Sequence, residues 1–414
     1  MSALRFSVVI VSRGRPTSLQ RCLKGVSQLY HEPFEIVVVA DGPGLEAARA
    51  ALPEGSFKQA RFDEANISAA RNAGISLAAG DVIAFIDDDA VPEPGWLFHL
   101  AGAFAAHGVD AAGGFVRGRD GISFQYRGAE VSALAEETPL ATEGTRPAVF
   151  EGRPGRAIKT EGTNCAFRRA LFEELGGFDP SYRYYLDETD LNMRLAAAGR
   201  KTALVPLAEV HHGAEASELR TARRMPRSLH QIGASLAVFL RKHAPGTDPG
   251  PVLARAEAAR RRGLVRHMLR GNCEPRDVER VLATFREGVA EGLARPLVPV
   301  PPVVPAQSAF LPFKPRRPAH RLIAGPLLEA RRLRSRAGEA AEEGQVVSLH
   351  LQGRVLPRRP RVRFHPAGFW EHRYRIFRAS GSDMAARRED CRVAAMRHPW
   401  NIADRSDDGR KKTE

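Results

Sequence analysis

No stretch of this chain approaches the ~18 consecutive apolar residues that a membrane-spanning helix needs, although 43% of its 414 residues are hydrophobic. The first apolar run, Phe6 to Val11, is short and follows a single basic residue, so it lacks signal-peptide anatomy. Cysteine is scarce as well. Cys22, Cys165, Cys273 and Cys391 lie far apart and form no CxxC pair, which argues against a zinc ribbon and a disulfide framework. A reducing cytoplasm is the simplest expectation. No internal repeat is visible.

Positive charge, in contrast, is plentiful and unevenly placed. The net charge of +14 averages two unlike halves. Residues 1–215 hold 22 Lys and Arg against 28 Asp and Glu, a balance of −6, whereas residues 216–414 hold 40 against 20, a balance of +20. An acidic half is joined to a strongly basic one, and the two are expected to do different work.

The acidic half alternates strand and helix signals. Phe6–Ser12, Glu35–Asp41 and Asp81–Asp87 are near-continuous apolar runs, as expected of strands buried on both faces. Between and after them, Pro16–Leu29, Ile67–Ala79 and about 94–106 have helical spacing. The alternation predicts an α/β fold, a mostly parallel sheet flanked by helices. Ligands of such sheets bind beyond the carboxyl ends of the strands, where Asp41 and Asp87–Asp89 fall. The pattern is poor over 118–156, where a mobile acceptor loop is expected. Helix and strand signals return at Ala170–Glu174, Glu188–Ala198 and Lys201–Val210, and Ser228–His243 has one apolar helical face. Residues 248–294 read as two helices. Eight prolines in 296–318 predict an extended, semi-rigid linker. Beyond it, 345–352 and 361–377 alternate with period two, consistent with a small β module, and the last ~20 residues read as disordered.

The run Asp87-Asp88-Asp89 closes an apolar strand. Three adjacent carboxylates repel one another, so packing alone does not explain them at a sheet end; a hard divalent cation shared with substrate phosphates does. The plainer alternative is a solvated acidic turn.

At this point the residues resemble a family. VVIVSRGRP (8–16), VVVADGP (37–43), ISAARNAGI (67–75), FIDDDAVP (85–92), GTNCAFRR (162–169), GGFD (176–179) and DETDLNMRLAAAG (187–199) are similar, in order, to the motifs of family 2 glycosyltransferases of the GT-A fold. Each is weak alone; seven in order are specific. The resemblance covers residues 1–245, with a helical extension at 246–295, the linker at 296–318 and a basic region at 319–414. It implies a metal-dependent, inverting transfer of a sugar from a nucleotide-diphosphate donor to a hydroxyl acceptor, with Mn²⁺ or Mg²⁺ as cofactor.

The resemblance also implies roles. Ser12 and Arg13 line the nucleotide pocket. Asp41 contacts the base, although Ala40 replaces the first acidic residue common there. Arg71 faces the nucleotide or its diphosphate, the plainer reading being a helix-surface ion pair. Asp87 reaches the ribose and the metal, Asp88 supports that cluster and Asp89 holds the metal. Thr163 and Asn164 lie on the acceptor side. Glu188 is the expected general base, with Asp187 the fallback because the family more often has Asp; helix-dipole preference alone would also favour acids here. His211 or His212 is the candidate remaining metal ligand, and adjacent strand residues face opposite ways, so spacing does not choose. Arg220, Arg223, Arg224 and Arg227 are candidates to grip phosphate.

The basic half permits contact with an anionic membrane surface, an acidic glycan or protein, or nucleic acid; a solvated Arg-rich surface explains it without a partner, and no nucleic-acid motif is present. Expected partners are therefore the nucleotide-sugar donor and a glycan, lipid-linked or other hydroxyl acceptor. Two rival functions remain. A nucleotidyltransferase also uses strand-end acids, but would carry a Gly-rich basic signature where SRGRP stands. A non-catalytic binding protein on a degenerate scaffold would bind ligand without turnover.

Overall fold

The computed structural model describes residues 4–375 except 143, 214, 216, 217, 301, 302, 307, 315–319 and 354–359. The chain opens as β1 (Phe6–Ser12), α1 (Pro16–Val26), β2 (Phe34–Ala40), α2 (Gly42–Ala51), β3 (Lys58–Arg61), α3 (Ile67–Leu77) and β4 (Val82–Asp87). It continues through β5 (Ala90–Pro92), α4 (Trp96–His107) and β6 (Ala111–Arg117). The stretch expected to be a patternless loop holds four short strands, β7 (Phe124–Tyr126), β8 (Ala129–Ser132), β9 (Glu137–Pro139) and β10 (Ala148–Glu151), and β11 (Arg156–Lys159) begins at its end. Then follow β12 (Cys165–Arg168), α5 (Arg169–Leu175), α6 (Asp187–Ala197), β13 (Lys201–His212), α7 (His230–His243), α8 (Gly250–Leu269) and α9 (Pro275–Ala294).

The main sheet runs β10-β13-β6-β12-β4-β1-β2-β3. Its β4-β1-β2-β3 side is parallel, and β12 runs antiparallel to both β4 and β6. Each parallel strand feeds both faces, which is why its sequence is apolar throughout. Val8, Ile10, Ile36 and Val38 join the core under α1 and α4, while Val9, Val37 and Val39 join the opposite core under α3, α5 and α6. Register places Ser12 beside Ala40, and Val11 beside Asp87, so the motifs share one sheet edge.

Close approach dictates some residue choices. A Cβ on Gly114 of β6 would lie 1.8 Å from the Ala208 carbonyl oxygen and 2.4 Å from Asn164 Nδ2, so β6 has no room for a side chain there. Gly288 of α9 lets that helix reach α7, since a Cβ would lie 1.9 Å from the His230 oxygen. These two helices share a third core containing Leu236, Phe239, Val281 and Phe285.

The described part of the proline-rich segment has no helix or strand and lies against the sheet domain. Leu311 N–H donates to Glu35 Oε2 at 2.8 Å and Phe313 N–H to the Phe34 oxygen at 2.7 Å. A final module follows: β14 (His320–Pro326), α10 (Ala330–Glu342), β15 (Val346–Gly353), β16 (Arg361–His365) and β17 (Phe369–Arg375). Its strand order is β14-β15-β17-β16, with α10 burying Leu333 and Ala337 against Val347, Leu349 and Phe369. The β module expected from alternation is present, with β14 and α10 in addition. The tail expected to be disordered, and residues 376–377 of the alternating run, lie outside the described residues.

Candidate active site

The β1–α1 turn and the start of α2 are tied by one carboxylate. Asp41 caps α2, accepting from Gly44 N–H at 3.0 Å and from Gly14 N–H at 2.7 Å. Gly14 itself has φ +69°, a conformation glycine adopts without strain. Ser12 and Arg13 flank this turn. Ser12 Oγ donates to Asp88 Oδ2 at 2.6 Å, whereas the half-exposed Arg13 pairs with Glu218 at 2.9 Å.

Beyond β4 the three aspartates diverge. Asp88 and Asp89 are fully buried, and each meets Arg15: Asp88 Oδ1 at 2.5 Å and Asp89 Oδ2 at 2.9 Å. Asp89 Oδ2 also takes Arg220 Nη2 at 2.9 Å and the Glu215 amide at 3.0 Å, and its Oδ1 lies 3.1 Å from His212 Nε2. Burial pushes the Asp88 carboxyl up to about 7, against the pull of Arg15. Burial would do the same to Asp89, but the His212 hydrogen bond, with Arg15 and Arg220, holds that carboxyl well below the usual range.

The two histidines separate as neighbours on a strand must. His212 turns to Asp89 and is oriented by Gln125, 3.2 Å from its Nδ1. His211 turns the other way, its Nε2 2.9 Å from Glu93. Ligand atoms of Asp87, Asp89 and His212 all lie within 4.8 Å of one another. Two carboxylates and an imidazole fit a Mn²⁺- or Mg²⁺-class ion, and the crowd of cations around Asp89 shows that this strand end demands positive charge. Glu93, Glu209 and His211 form a second such cluster, in which Arg117 already clasps Glu209 with two nitrogens.

Arg71 joins this centre to the next. It is 2% exposed, pairs with Asp187, reaches Asp87 Oδ1 at 3.2 Å and donates to the Gly162 oxygen at 3.0 Å. It lies over the Phe178 and Phe85 rings, 5.2 and 5.8 Å from their centroids. Its guanidinium is a buried bridge between two acidic motifs and not a helix-surface ion pair. Tyr185 and Leu186, with φ of 73° and 65°, turn the chain sharply into α6. Non-glycine residues rarely adopt this region, and such strain gathers at functional sites.

Asp187 and Glu188 follow at once. Burial pushes the Asp187 carboxyl up; Arg71 opposes this and neighbouring Glu188 adds to it. Glu188 Oε1 accepts from Thr189 Oγ1 at 3.1 Å. Lys159, fully inside and 2.5 Å from Glu161, shares this acidic neighbourhood, and so does Glu137 at 3.3 Å.

Asn164 is spent on structure: it donates to the Phe115 and Ala208 oxygens at 2.9 and 2.8 Å and accepts from Trp96 Nε1 at 2.8 Å. Thr163 is 4% exposed, and its Oγ1 has no hydrogen-bond partner among the described residues. Of the four arginines after β13, Arg220 bonds to Asp89 of the acidic centre, whereas Arg223 reaches Asn272 at 3.2 Å. Sequence reasoning passed over Arg15, Gln125 and Lys159. Arg15 stood inside a quoted motif, and its place just before the Pro16 helix start was the available signal; Gln125 and Lys159 carried none.

One edge of the sheet thus gathers the β1–α1 turn, a carboxylate–histidine centre and a second acidic helix start. Residues 7–176 match the family model described as Glycosyl transferase family 2. Among curated proteins, the chain is 29% identical over 182 residues to the glucosyl-dolichyl phosphate glucuronosyltransferase of Haloferax volcanii, covering 42% of this chain and 56% of that protein. It is 26% identical over 219 residues to the pre-mycofactocin glycosyltransferase of Mycobacterium tuberculosis, covering 50% and 42% respectively. The chain thus spans about half the length of these relatives. Among solved structures, a mannosyltransferase from Pyrobaculum calidifontis in complex with GDP-Man and Mn²⁺ matches at 17% identity and a TM-score of 0.42, covering 71% of this chain and 88% of that one. No helix among the described residues is long and apolar enough to cross a membrane.

Proposed function

We propose that this protein transfers a sugar from a nucleotide-diphosphate donor to a hydroxyl acceptor, with inversion at the anomeric carbon, in the synthesis of a bacterial-type surface glycan or glycoconjugate. The observation that carries the reading is the Arg71 bridge, which sets Asp187–Glu188 beside the Asp87–Asp89–His212 centre. Asp87, Asp89 and His212 would hold Mn²⁺ or Mg²⁺, and a bound ion supplies charge neutralisation and Lewis acidity at the leaving diphosphate. Ser12, Arg13 and the Asp41-bound turn form the nucleotide side. Glu188 takes the proton of the acceptor hydroxyl as that oxygen bonds to the anomeric carbon and the bond to the diphosphate oxygen breaks. Glu188 is preferred over Asp187 because the Asp187 carboxylate is engaged by Arg71. Thr163, with its unpartnered hydroxyl, is offered to the acceptor.

Burial lowers the affinity of Arg224 for its proton, neighbouring Arg220 and Arg119 add to this, and Asp89 opposes it. This gathering of arginines favours a phosphate-bearing, lipid-linked acceptor over a neutral one, and a cytoplasmic site of action against the inner face of the membrane. The test is a thermal-shift panel with UDP, dTDP, GDP and CDP, each with and without Mn²⁺, on the wild type and Asp89→Asn. A ligand that binds only the folded state raises the melting temperature. One nucleotide is expected to stabilise the wild type in a Mn²⁺-dependent way and the variant not at all; no shift with any of the four defeats the donor-site assignment.

A further inference from the structure

The C-terminal module, β14 to β17, lies outside the family match at 7–176. Its position nevertheless concerns the acidic centre. Asp89 immediately precedes β5 and His212 ends β13, and the two strands pair antiparallel, with His212 opposite Ala90, His211 opposite Val91 and Val210 opposite Pro92. One face of this short ladder carries His212 towards Asp89. The other carries Val91 and His211, and the module covers both. Val91, Val362, Phe364 and Trp370 form one buried cluster, and the Trp370 ring lies 4.8 Å from the His211 ring.

The contact is anchored on both sides. Val362 N–H donates to the Asp120 oxygen at 2.8 Å, at the turn joining β6 to β7, and β7 carries the Gln125 that orients His212. On α1, Lys24 Nζ reaches the Pro366 oxygen at 2.8 Å, and just past its end Gln28 Nε2 reaches the Gly368 oxygen at 2.6 Å. That helix begins at Arg15, the partner of Asp88 and Asp89. The ladder, the hairpin and the helix that fix the acidic centre are therefore all gripped from behind by one module.

A β5–β13 ladder three residues long has few hydrogen bonds of its own. Without the module, Val91 would keep its approach to Gly25 of α1, but Val91 and His211 would lose the packing that Val362, Phe364 and Trp370 supply. The precision of a metal ligand depends on such outer support, whose loss commonly costs 10–100-fold in metal affinity.

We propose that Trp370 is a positioning residue for the metal centre, acting through His211 and Val91 to hold His212 and Asp89 in place, and that the C-terminal module is a part of the donor site rather than an appended partner-binding domain. The proposal rests on the reading of Asp87, Asp89 and His212 as cation ligands.

The experiment uses the full chain without nucleotide and measures Mn²⁺ binding from the electron paramagnetic resonance signal of the free ion, alongside thermal melts. The proteins compared are the wild type, Trp370→Ala, Trp370→Phe, Val362→Ala and His212→Gln. His212→Gln should abolish Mn²⁺ uptake. Trp370→Ala should raise the Mn²⁺ dissociation constant roughly tenfold or more at a temperature where the melts show it folded, and Trp370→Phe should recover most of that loss. Val362→Ala removes less from the same contact and serves where Trp370→Ala does not fold; a severalfold weakening is expected. A purely architectural module would lower the melting temperature and leave the dissociation constant of folded protein within twofold of wild type, and that result overturns the proposal. A wild type that takes up no Mn²⁺ defeats the metal reading, and the proposal with it; uptake lost in His212→Gln but unchanged in the Trp370 and Val362 variants defeats the proposal alone.

Discussion

Asp187 and Glu188 are adjacent carboxylates with different surroundings. Asp187 is locked to a buried guanidinium, while Glu188 accepts the Thr189 hydroxyl and shares a side-chain hydrogen bond with Asp187. Neutralising each should therefore fail in a different way. Glu188→Gln removes a proton acceptor but leaves the Asp187–Arg71 pair in place: turnover should fall by about 10²–10⁴-fold, the range typical of a lost general base, while the nucleotide-induced thermal shift stays as in the wild type. Asp187→Asn should also lose turnover, but with a lower melting temperature and an altered donor shift, because Arg71 keeps only Asp87 as a charged partner. Initial rates and melts on both variants separate the roles. Turnover by Glu188→Gln within threefold of wild type would remove Glu188 from the mechanism.

At the scale of elements, α6 is held to α7 by a carboxylate that takes no part in the proposed chemistry. Asp190 is fully buried and pairs with Lys242 at 2.7 Å, His243 at 2.9 Å and Arg194 at 2.9 Å. Burial alone would raise its pKa; the His243 hydrogen bond and the charges of Arg194 and Lys242 more than reverse this and hold the group well below the ordinary carboxylate range. A carboxyl depressed in the folded state binds more protons when unfolded, so its contribution is complete above the unfolded value near 4 and is lost as pH falls through the folded one. Asp190→Asn should cost about 3–5 kcal/mol, as expected when one partner of a buried ion pair is removed. In denaturant titrations the gap from wild type should be constant from pH 5 to 8 and narrow only in acid below about pH 4. A gap that widens on acidification contradicts this account.

Elements were legible in the sequence where burial on two faces writes a continuous apolar run, as in β1, β2 and β4, or where helical spacing is long, as in α7. They were illegible where close backbone approach replaces side chains. β6 reads AAGGFVR, and the glycines that its neighbours require look like a break. α2 opens on Gly42-Pro43-Gly44, which reads as a turn until Asp41 is seen to cap it. The site followed the same division. The strand-end acids and His212 sit where alternation and motif order put them, and geometry distinguishes His212 from His211. Arg15, Lys159 and Gln125 enter through tertiary contacts that leave no periodic trace.

Across the whole molecule, the acidic and basic halves are stitched together by more than one connection, and the proline-rich segment is among the stitches. Leu311 and Phe313 donate backbone hydrogen bonds to the β2 edge, the Phe313 ring lies 5.4 Å from Phe34, and its side chain is 6% exposed. Glu35, which receives Leu311, is itself paired with Lys58 at 2.9 Å inside the sheet domain. Phe→Ala in a closed core costs about 3–5 kcal/mol, but a strap can detach without opening the domain beneath it, so the global loss is capped by the strap's own docking energy. Phe313→Ala should therefore appear first as local opening, a low-free-energy event distinct from global unfolding. Limited proteolysis at a temperature well below the melt should cut the variant within 295–314 several times faster than the wild type, with a melting temperature only modestly lower. Equal cleavage rates would mean that the segment is held by its other contacts and that Phe313 is not the anchor.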